Sequence, residues 1–215
     1  MSAATPTEID NPIFARAFAR FCGRDRGRGE DELRRELLAG LAGRVVEVGP
    51  GNGINFEHYP ASVSELVAVE PEPYLRAAAR RRSAEVAVEV EVIDGVAADL
   101  PLESGSVDAV VVAGVLCSVA SQAVALAEFA RVLRHGGELR FYEHVRSRRA
   151  GFARYQRAVD PAWSRLMGGC HPDRDTLAAI EAAGLEVERC RGFGFPANAR
   201  AYPVTPRVLG SARRR

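Results

Sequence analysis

Between Arg44 and Gly53, the β-branched residues Val45, Val46 and Val48 enclose one acid, Glu47, and run into three glycines at alternate positions, Gly49, Gly51 and Gly53. Glycine has no Cβ and tolerates positive φ, so such a turn lets a ligand approach the main chain closely. A strand that ends in this way is the usual ligand position of an open α/β sheet. A second acid, Glu70, closes the next apolar run ahead of Pro71. There it can accept both hydroxyls of a ribose lying across the glycine turn, or it can cap the following helix. Later in the chain, Glu143 and His144 end another apolar run. An imidazole titrates near neutrality, so His144 is the best-placed proton acceptor, with Glu143 beside it. Side chains alternate along a strand, so one of the two is expected to face a site. His171 and Asp160 are the second candidates, and a histidine satisfied by backbone groups is the structural alternative.

The glycine spacing excludes two nucleotide motifs. A dinucleotide fingerprint needs G-x-G-x-x-G, but the required last glycine is Ile54 or Phe56 here. A phosphate loop needs Gly-Lys-Ser/Thr, and the chain contains no lysine. What remains is E-x-G-x-G-x-G, or a tight turn without a ligand. The four cysteines, Cys22, Cys117, Cys170 and Cys190, form no C-x-x-C pair and no Cys/His ligand spacing. Free thiols in a reducing cytosol and no metal are the expectation. Cys117 reads as a buried small hydrophobe.

The elements that must position these residues alternate. Strands are expected over residues 44–48, 66–70, 86–93, 107–113, 138–145, 185–190 and 204–212, the third as a half-exposed edge. Helices are expected from the Asp10-Asn11-Pro12 start through Phe21, over 30–41, over 54–59 as a short piece, and over 74–82. Further helices are expected over 122–133, ended by His135-Gly136-Gly137, and over 152–166, as one helix or two helical pieces because Pro161 interrupts it. The last spans 174–183 and is capped by Asp173. Alternating strands and helices give an α/β, doubly wound, mostly parallel sheet. Two strands at the C-terminus without a helix between them require an antiparallel pairing.

A chain of 215 residues suits one domain, and a formal net charge of +1 offers no general attraction to nucleic acid. The arginine clusters at residues 24–28, 80–82, 146–149 and 213–215 read as solvated faces or tails. No stretch reaches the length of a membrane-spanning helix.

The turn E-x-G-x-G-x-G resembles motif I of the class I S-adenosylmethionine (SAM) methyltransferases. The resemblance narrows with Asn55-Phe56, Tyr59-Pro60, Val115-Leu116-Cys117-Ser118-Val119, Glu143-His144-Val145, Asp160-Pro161-Ala162-Trp163, Gly169-Cys170 and Gly210. These segments are similar, over residues 40–212, to the methyltransferase-like 7 proteins. Those are thiol S-methyltransferases of animal membranes, with bacterial relatives grouped as type 11 methyltransferases. The resemblance implies a seven-stranded, mostly parallel sheet with an antiparallel C-terminal strand. It implies a SAM-binding domain over 43–215, with helices of residues 1–42 covering the cofactor and substrate site in one compact unit.

It also implies SAM as cofactor, bound through Glu47, Gly49, Pro50, Gly51, Asn52, Gly53, Asn55, Glu70 and Pro71. Val96 and Ala97 would lie by the adenine, where a Gly-Asp pattern is commoner, flanked by Asp94 and Asp99, with Asp94 as the polar contact. Gly114, Val115 and Cys117 would leave room for the methionine part. Transfer from the sulfonium is a direct displacement, so the protein aligns the nucleophile and removes a proton. A thiol needs only conversion to thiolate. Phe14, Phe18, Tyr155, Trp163, Phe195 and His171 are candidates for an apolar acceptor wall. The animal proteins carry an N-terminal hydrophobic anchor that these residues do not show, so a cytoplasmic bacterial protein without stable membrane insertion is expected. The implied activity is methylation of a small, fairly apolar acceptor, with a thiol leading. N-, O- or C-methylation of a lipid head group, quinone or natural product is the second enzyme reading, and a SAM-binding regulatory protein is the reading of another class.

Overall fold

Valine-rich runs too apolar to be covered on one side only become the centre of a sheet with helices on both faces. The computed structural model describes residues 12–21, 29–196, 199 and 201–215. The expectations at Asp10-Asn11, at Cys22 and over the basic loop at 23–28 lie outside the described residues, as does the side chain of Phe14.

Seven strands form one sheet: β1 (Gly43–Val48), β2 (Val63–Val69), β3 (Val90–Ile93), β4 (Val107–Ala113), β5 (Leu133–His144), β6 (Leu185–Gly194) and β7 (Pro206–Arg214). Their order is β3-β2-β1-β4-β5-β7-β6. The pairs from β3 to β5 are parallel, and β7 runs antiparallel to both β5 and β6. Strand order reverses between β1 and β4, which is where an open sheet of this kind presents its ligand crevice.

Among the described residues, six helices flank the sheet: α1 (Pro12–Phe21), α2 (Glu30–Leu38), α3 (Pro73–Ser83), α4 (Gln122–Val132), α5 (Ala150–Leu166) and α6 (Thr176–Ala182). Alternation along each strand separates two cores. Val46, Val48, Val110 and Val112 pack with Leu126 and Phe129 of α4 and Ile180 of α6. Val45, Leu66, Ala109 and Val111 pack with Leu33, Leu37 and Leu38 of α2 and Ala79 of α3. Arg140 crosses from β5 to α2 and donates to the carbonyls of Leu37 and Ala39, satisfying two acceptors at the helix end.

Several boundaries differ from the sequence reading, each for a local reason. α5 takes the one-helix form of the two expected and starts at Ala150, because Pro161 forfeits a single backbone hydrogen bond that the surrounding turns survive. The cap of α6 is Asp175, whose side chain accepts the Ala178 N–H, rather than Asp173. Residues 54–59 contain only a 3-10 turn, Phe56–His58. α2 stops at Leu38, before the expected 41. β3 is restricted to the four residues that pair with Leu66–Val69. Gly136 and Gly137 lie inside β5, not at a helix end. β6 continues to Gly194 because β7 offers it a ladder along its whole length. Among the described residues, no helix is long and apolar enough to cross a membrane.

Candidate active site

The carboxyl ends of β1, β2, β4 and β5 open on a cavity of about 790 Å³, within the range of small-molecule sites. Gly49, Gly51, Glu70 and Pro71 border one end, Val96 and Ala97 the adjoining wall. Gly114, Val115, Glu143, His144, Gly169 and His171 border the other end. Both Glu143 and His144 reach it, whereas strand alternation predicts one, because the cavity wraps around the end of β5.

The glycine turn is built by strain that only glycine accepts. Gly51 has φ +59, and an added Cβ would come within 2.9 Å of the Phe18 ring. Gly114 has φ +73 and borders the cavity, and its added Cβ would meet nothing within 4 Å.

Glu70 is buried, accepting the Gly51 N–H at 2.8 Å and the Glu72 N–H at 3.0 Å, one on each oxygen. Burial raises its pKa to about 7 against the lowering effect of those two bonds. Each oxygen keeps a second lone pair.

Glu47 takes a different place from the one its motif suggests. It sits on the α2 side of β1 and is buried. It accepts from Asn55 Nδ2 at 2.6 Å and Tyr59 Oη at 3.0 Å. Arg34 donates to Asn55 Oδ1 at 2.6 Å and to Glu30 at 3.0 Å. The network ties α2 to the turn from behind. Burial raises the Glu47 pKa to about 7, although the bonds from Asn55 and Tyr59 and the charge of Arg34 lower it. Glu47, Pro50, Asn52, Gly53 and Asn55 are absent from the cavity wall. Asp94 also stands apart, held by Arg76 at 2.9 Å on an exposed edge.

On the acceptor side, His171 Nδ1 lies 2.9 and 3.0 Å from the two oxygens of Asp160. An ionised carboxylate only accepts, so Nδ1 is the donor to Asp160, and in the neutral imidazole this leaves the lone pair on Nε2. Glu143 is held by three main-chain donors: it accepts the N–H groups of Val115, Leu116 and Cys117 at 2.9, 3.0 and 3.2 Å, and burial raises its pKa. Phe18 borders the cavity. Tyr155 does not; its hydroxyl donates to the Ala201 carbonyl. Trp163 packs behind the wall, edge-on to Tyr202, and Phe195 is buried in the α2-side core.

Residues 46–141 match the methyltransferase domain family Methyltransf_11. The human thiol S-methyltransferase TMT1B is 34% identical over 200 residues, covering 86% of this chain and 80% of that protein. The chain belongs to the methyltransferase family that contains TMT1B. Solved structures agree on the fold. A SAM-dependent methyltransferase from Thermotoga maritima superposes with a TM-score of 0.70 at 22% identity, covering 94% of this chain and 97% of that one. A geranyl diphosphate methyltransferase in complex with SAM gives 0.67 at 17% identity, covering 99% and 93%.

In this methyltransferase, the structure assembles a group that sequence spacing conceals. Cys117 Sγ and Cys170 Sγ are 3.6 Å apart, and His144 Nδ1 lies 3.4 Å from the first and 3.6 Å from the second. The reading of Cys117 as a plain hydrophobe holds for its burial but not for its neighbours. The bond with Cys170, then burial, pushes the Cys117 thiol up. The same bond holds the Cys170 thiol below its usual value. Arg34, Arg174 and Arg207 also border the cavity. In the sequence they are three of many arginines, with no spacing to single them out. Arg174 donates to the Leu116 carbonyl at 2.7 Å, Arg207 to the Tyr142 hydroxyl.

Proposed function

We propose that this methyltransferase moves a methyl group from SAM to the sulfur of a small, apolar thiol. One observation carries the reading: a single cavity joins the Gly49–Gly51–Glu70 cradle to the His171–Asp160 pair. The residues fit the cofactor. The spare lone pairs of Glu70 suit two ribose hydroxyls, Val96 and Ala97 offer an apolar wall to the adenine, and the missing Cβ at Gly114 leaves space for the methionine part. Asp94, tied to Arg76, takes no part in this reading.

When bound, SAM supplies a sulfonium-activated methyl group that needs no further activation. The chain's own work is alignment and proton removal. Phe18, against Gly51, helps exclude water from that end. His171, its tautomer set by Asp160, takes the thiol proton at Nε2. A free thiol with a pKa near 8.5 needs only modest help to ionise at neutral pH. His144, expected from the sequence as the proton acceptor, faces the two cysteine thiols through Nδ1. The relation to a thiol S-methyltransferase supports sulfur as the methylated atom.

The test is calorimetry with SAM, S-adenosylhomocysteine and NAD, followed by a screen of small thiols, phenols and amines that reads S-adenosylhomocysteine release. Release with thiols alone supports the proposal. NAD binding without SAM binding overturns it, and release only with amines or phenols overturns the choice of sulfur.

A further inference from the structure

Cys117, His144 and Cys170 come from three separate elements: the turn after β4, the last residue of β5 and the loop after α5. Their ligand atoms form a nearly equilateral triangle with edges of 3.4, 3.6 and 3.6 Å. A tetrahedral zinc ion with sulfur at about 2.3 Å and nitrogen at about 2.0 Å sets two sulfurs about 3.8 Å apart and sulfur and nitrogen about 3.5 Å apart. The observed edges match these within about 0.2 Å. A thiol–thiol hydrogen bond does not require an imidazole equidistant from both sulfurs, and a disulfide would bring them to about 2.05 Å.

The triangle is held by bonds that do not involve the three ligand atoms. Glu143 fixes the main chain at Val115, Leu116 and Cys117. The His171 N–H bonds the Cys117 carbonyl at 2.8 Å, and the Cys170 N–H bonds the Met167 carbonyl at 3.1 Å, so the two cysteine segments are fixed to each other. Trp163 packs against the cluster of Cys117, Cys170 and Val204, and its buried indole N–H, with no nitrogen or oxygen partner, is directed at the Cys170 sulfur. An N–H so placed supports a metal-bound thiolate. Two thiolates neutralise a divalent cation, which removes the main cost of burying the three. Both cysteines are buried, while His144, Ser118 and Gly169 border the cavity.

We propose that Cys117, Cys170 and His144 bind a zinc ion whose fourth position opens to the cavity and receives the acceptor thiol as its thiolate. Three protein ligands with one open position is the pattern of catalytic rather than structural zinc. Soft thiolate ligands favour zinc over magnesium or calcium. The acceptor half of this inference rests on the thiol reading above; the metal half stands without it. Zinc binding displaces one proton from each of Cys117 and Cys170 to solvent; on binding, the acceptor thiol likewise gives up its proton and a sulfur lone pair to zinc, with no change of oxidation state. In transfer, the acceptor sulfur–carbon bond forms as the methyl–sulfonium bond breaks, and the neutral thioether leaves the metal.

The test uses the full chain, purified with a phosphine reductant and no chelator. Metal analysis should find one zinc per chain. Replacement by Co2+ should give the intense visible bands of a tetrahedral thiolate site. Cys117→Ser and Cys170→Ser should each weaken zinc by more than about 100-fold, beyond the loss expected for an outer partner. His144→Ala, the smallest disturbance to the fold, should shift the Co2+ bands. Benzyl mercaptan added to the Co2+ protein without SAM should change those bands, and its methyl thioether should not. Substoichiometric zinc, or cobalt bands lacking thiolate character in the folded wild type, overturns the metal site. Bands indifferent to the thiol overturn the acceptor role. SAM binding is measured by calorimetry on the same samples. Intact SAM binding without zinc overturns only this inference, and zinc without SAM binding overturns only the proposed cofactor.

Discussion

The carboxylate of Glu70 accepts the N–H of Gly51 at 2.8 Å, so the acidic end of β2 holds the glycine turn that follows β1. Burial raises the pKa of the same group to about 7, which brings its titration into the neutral range. Ribose hydroxyls donate, so they favour the ionised form. SAM binding therefore releases a proton below pH 7, and affinity rises with pH. Between pH 6 and pH 8 the dissociation constant should fall about tenfold. Glu70→Gln should flatten that profile and weaken binding by about 1–3 kcal/mol. Calorimetry at several pH values checks both.

Glu47 carries the same linkage in the stability of the fold. Its pKa is raised from 4.5 to about 7, so its contribution is fully present below pH 4.5 and lost as pH rises to 7. Over that window the loss is about 3 kcal/mol at most. Glu47→Gln keeps an acceptor for Asn55 and can donate to Tyr59 Oη. The variant should lose less stability between pH 5 and pH 8 than wild type in urea unfolding. Parallel profiles would remove Glu47 as the source.

Asp160→Asn removes the negative charge that fixes the His171 tautomer. His171→Ala removes the proton acceptor itself. Each should slow thiol methylation at pH 7 by up to about 30-fold, the shortfall of thiolate in a free thiol of pKa about 8.5. The deficit should shrink as pH approaches the thiol pKa, because the thiolate then forms unaided. Steady-state rates from pH 6 to pH 9 test this; a deficit constant across pH rejects the role.

Gly210 lies in β7 opposite Phe141, and an added Cβ would fall 2.7 Å from Phe141 Cζ and closer still to the Arg189 carbonyl. Backbone on one side cannot yield cheaply, so Gly210→Ala should destabilise by about 1–3 kcal/mol or more. Thermal unfolding measures it. Gly40→Ala is the contrast: its Cβ would meet nothing within 4 Å, so it carries only the strain of φ +77.

Glu143→Gln keeps the size of the side chain but places an amide against three converging N–H donors, of which it can satisfy fewer. The expected cost is about 1–3 kcal/mol. Hydrogen exchange should rise at Val115, Leu116 and Cys117 more than elsewhere, and uniform exchange would mean that the loop does not depend on Glu143.

The sequence by itself determined what depends on neighbours along the chain. Val45 to Gly53 read as a strand and turn because β-branched runs and glycine conformations are local properties. The missing helix before the last strand required an antiparallel pairing, which β7 makes with β5 and β6. Glu70 was legible for the same reason, at the end of its own strand. The tertiary structure decided what depends on distance through space. Glu47 lies in the motif, yet strand alternation turns it toward α2, where burial makes it an anchor for Asn55 and Tyr59. The ends of β4 and β5 and the loop after α5 converge because the sheet stacks them side by side. That brings Cys117, His144 and Cys170 within 3.6 Å of one another, a set that no spacing rule connects because the residues between them are spent crossing the fold.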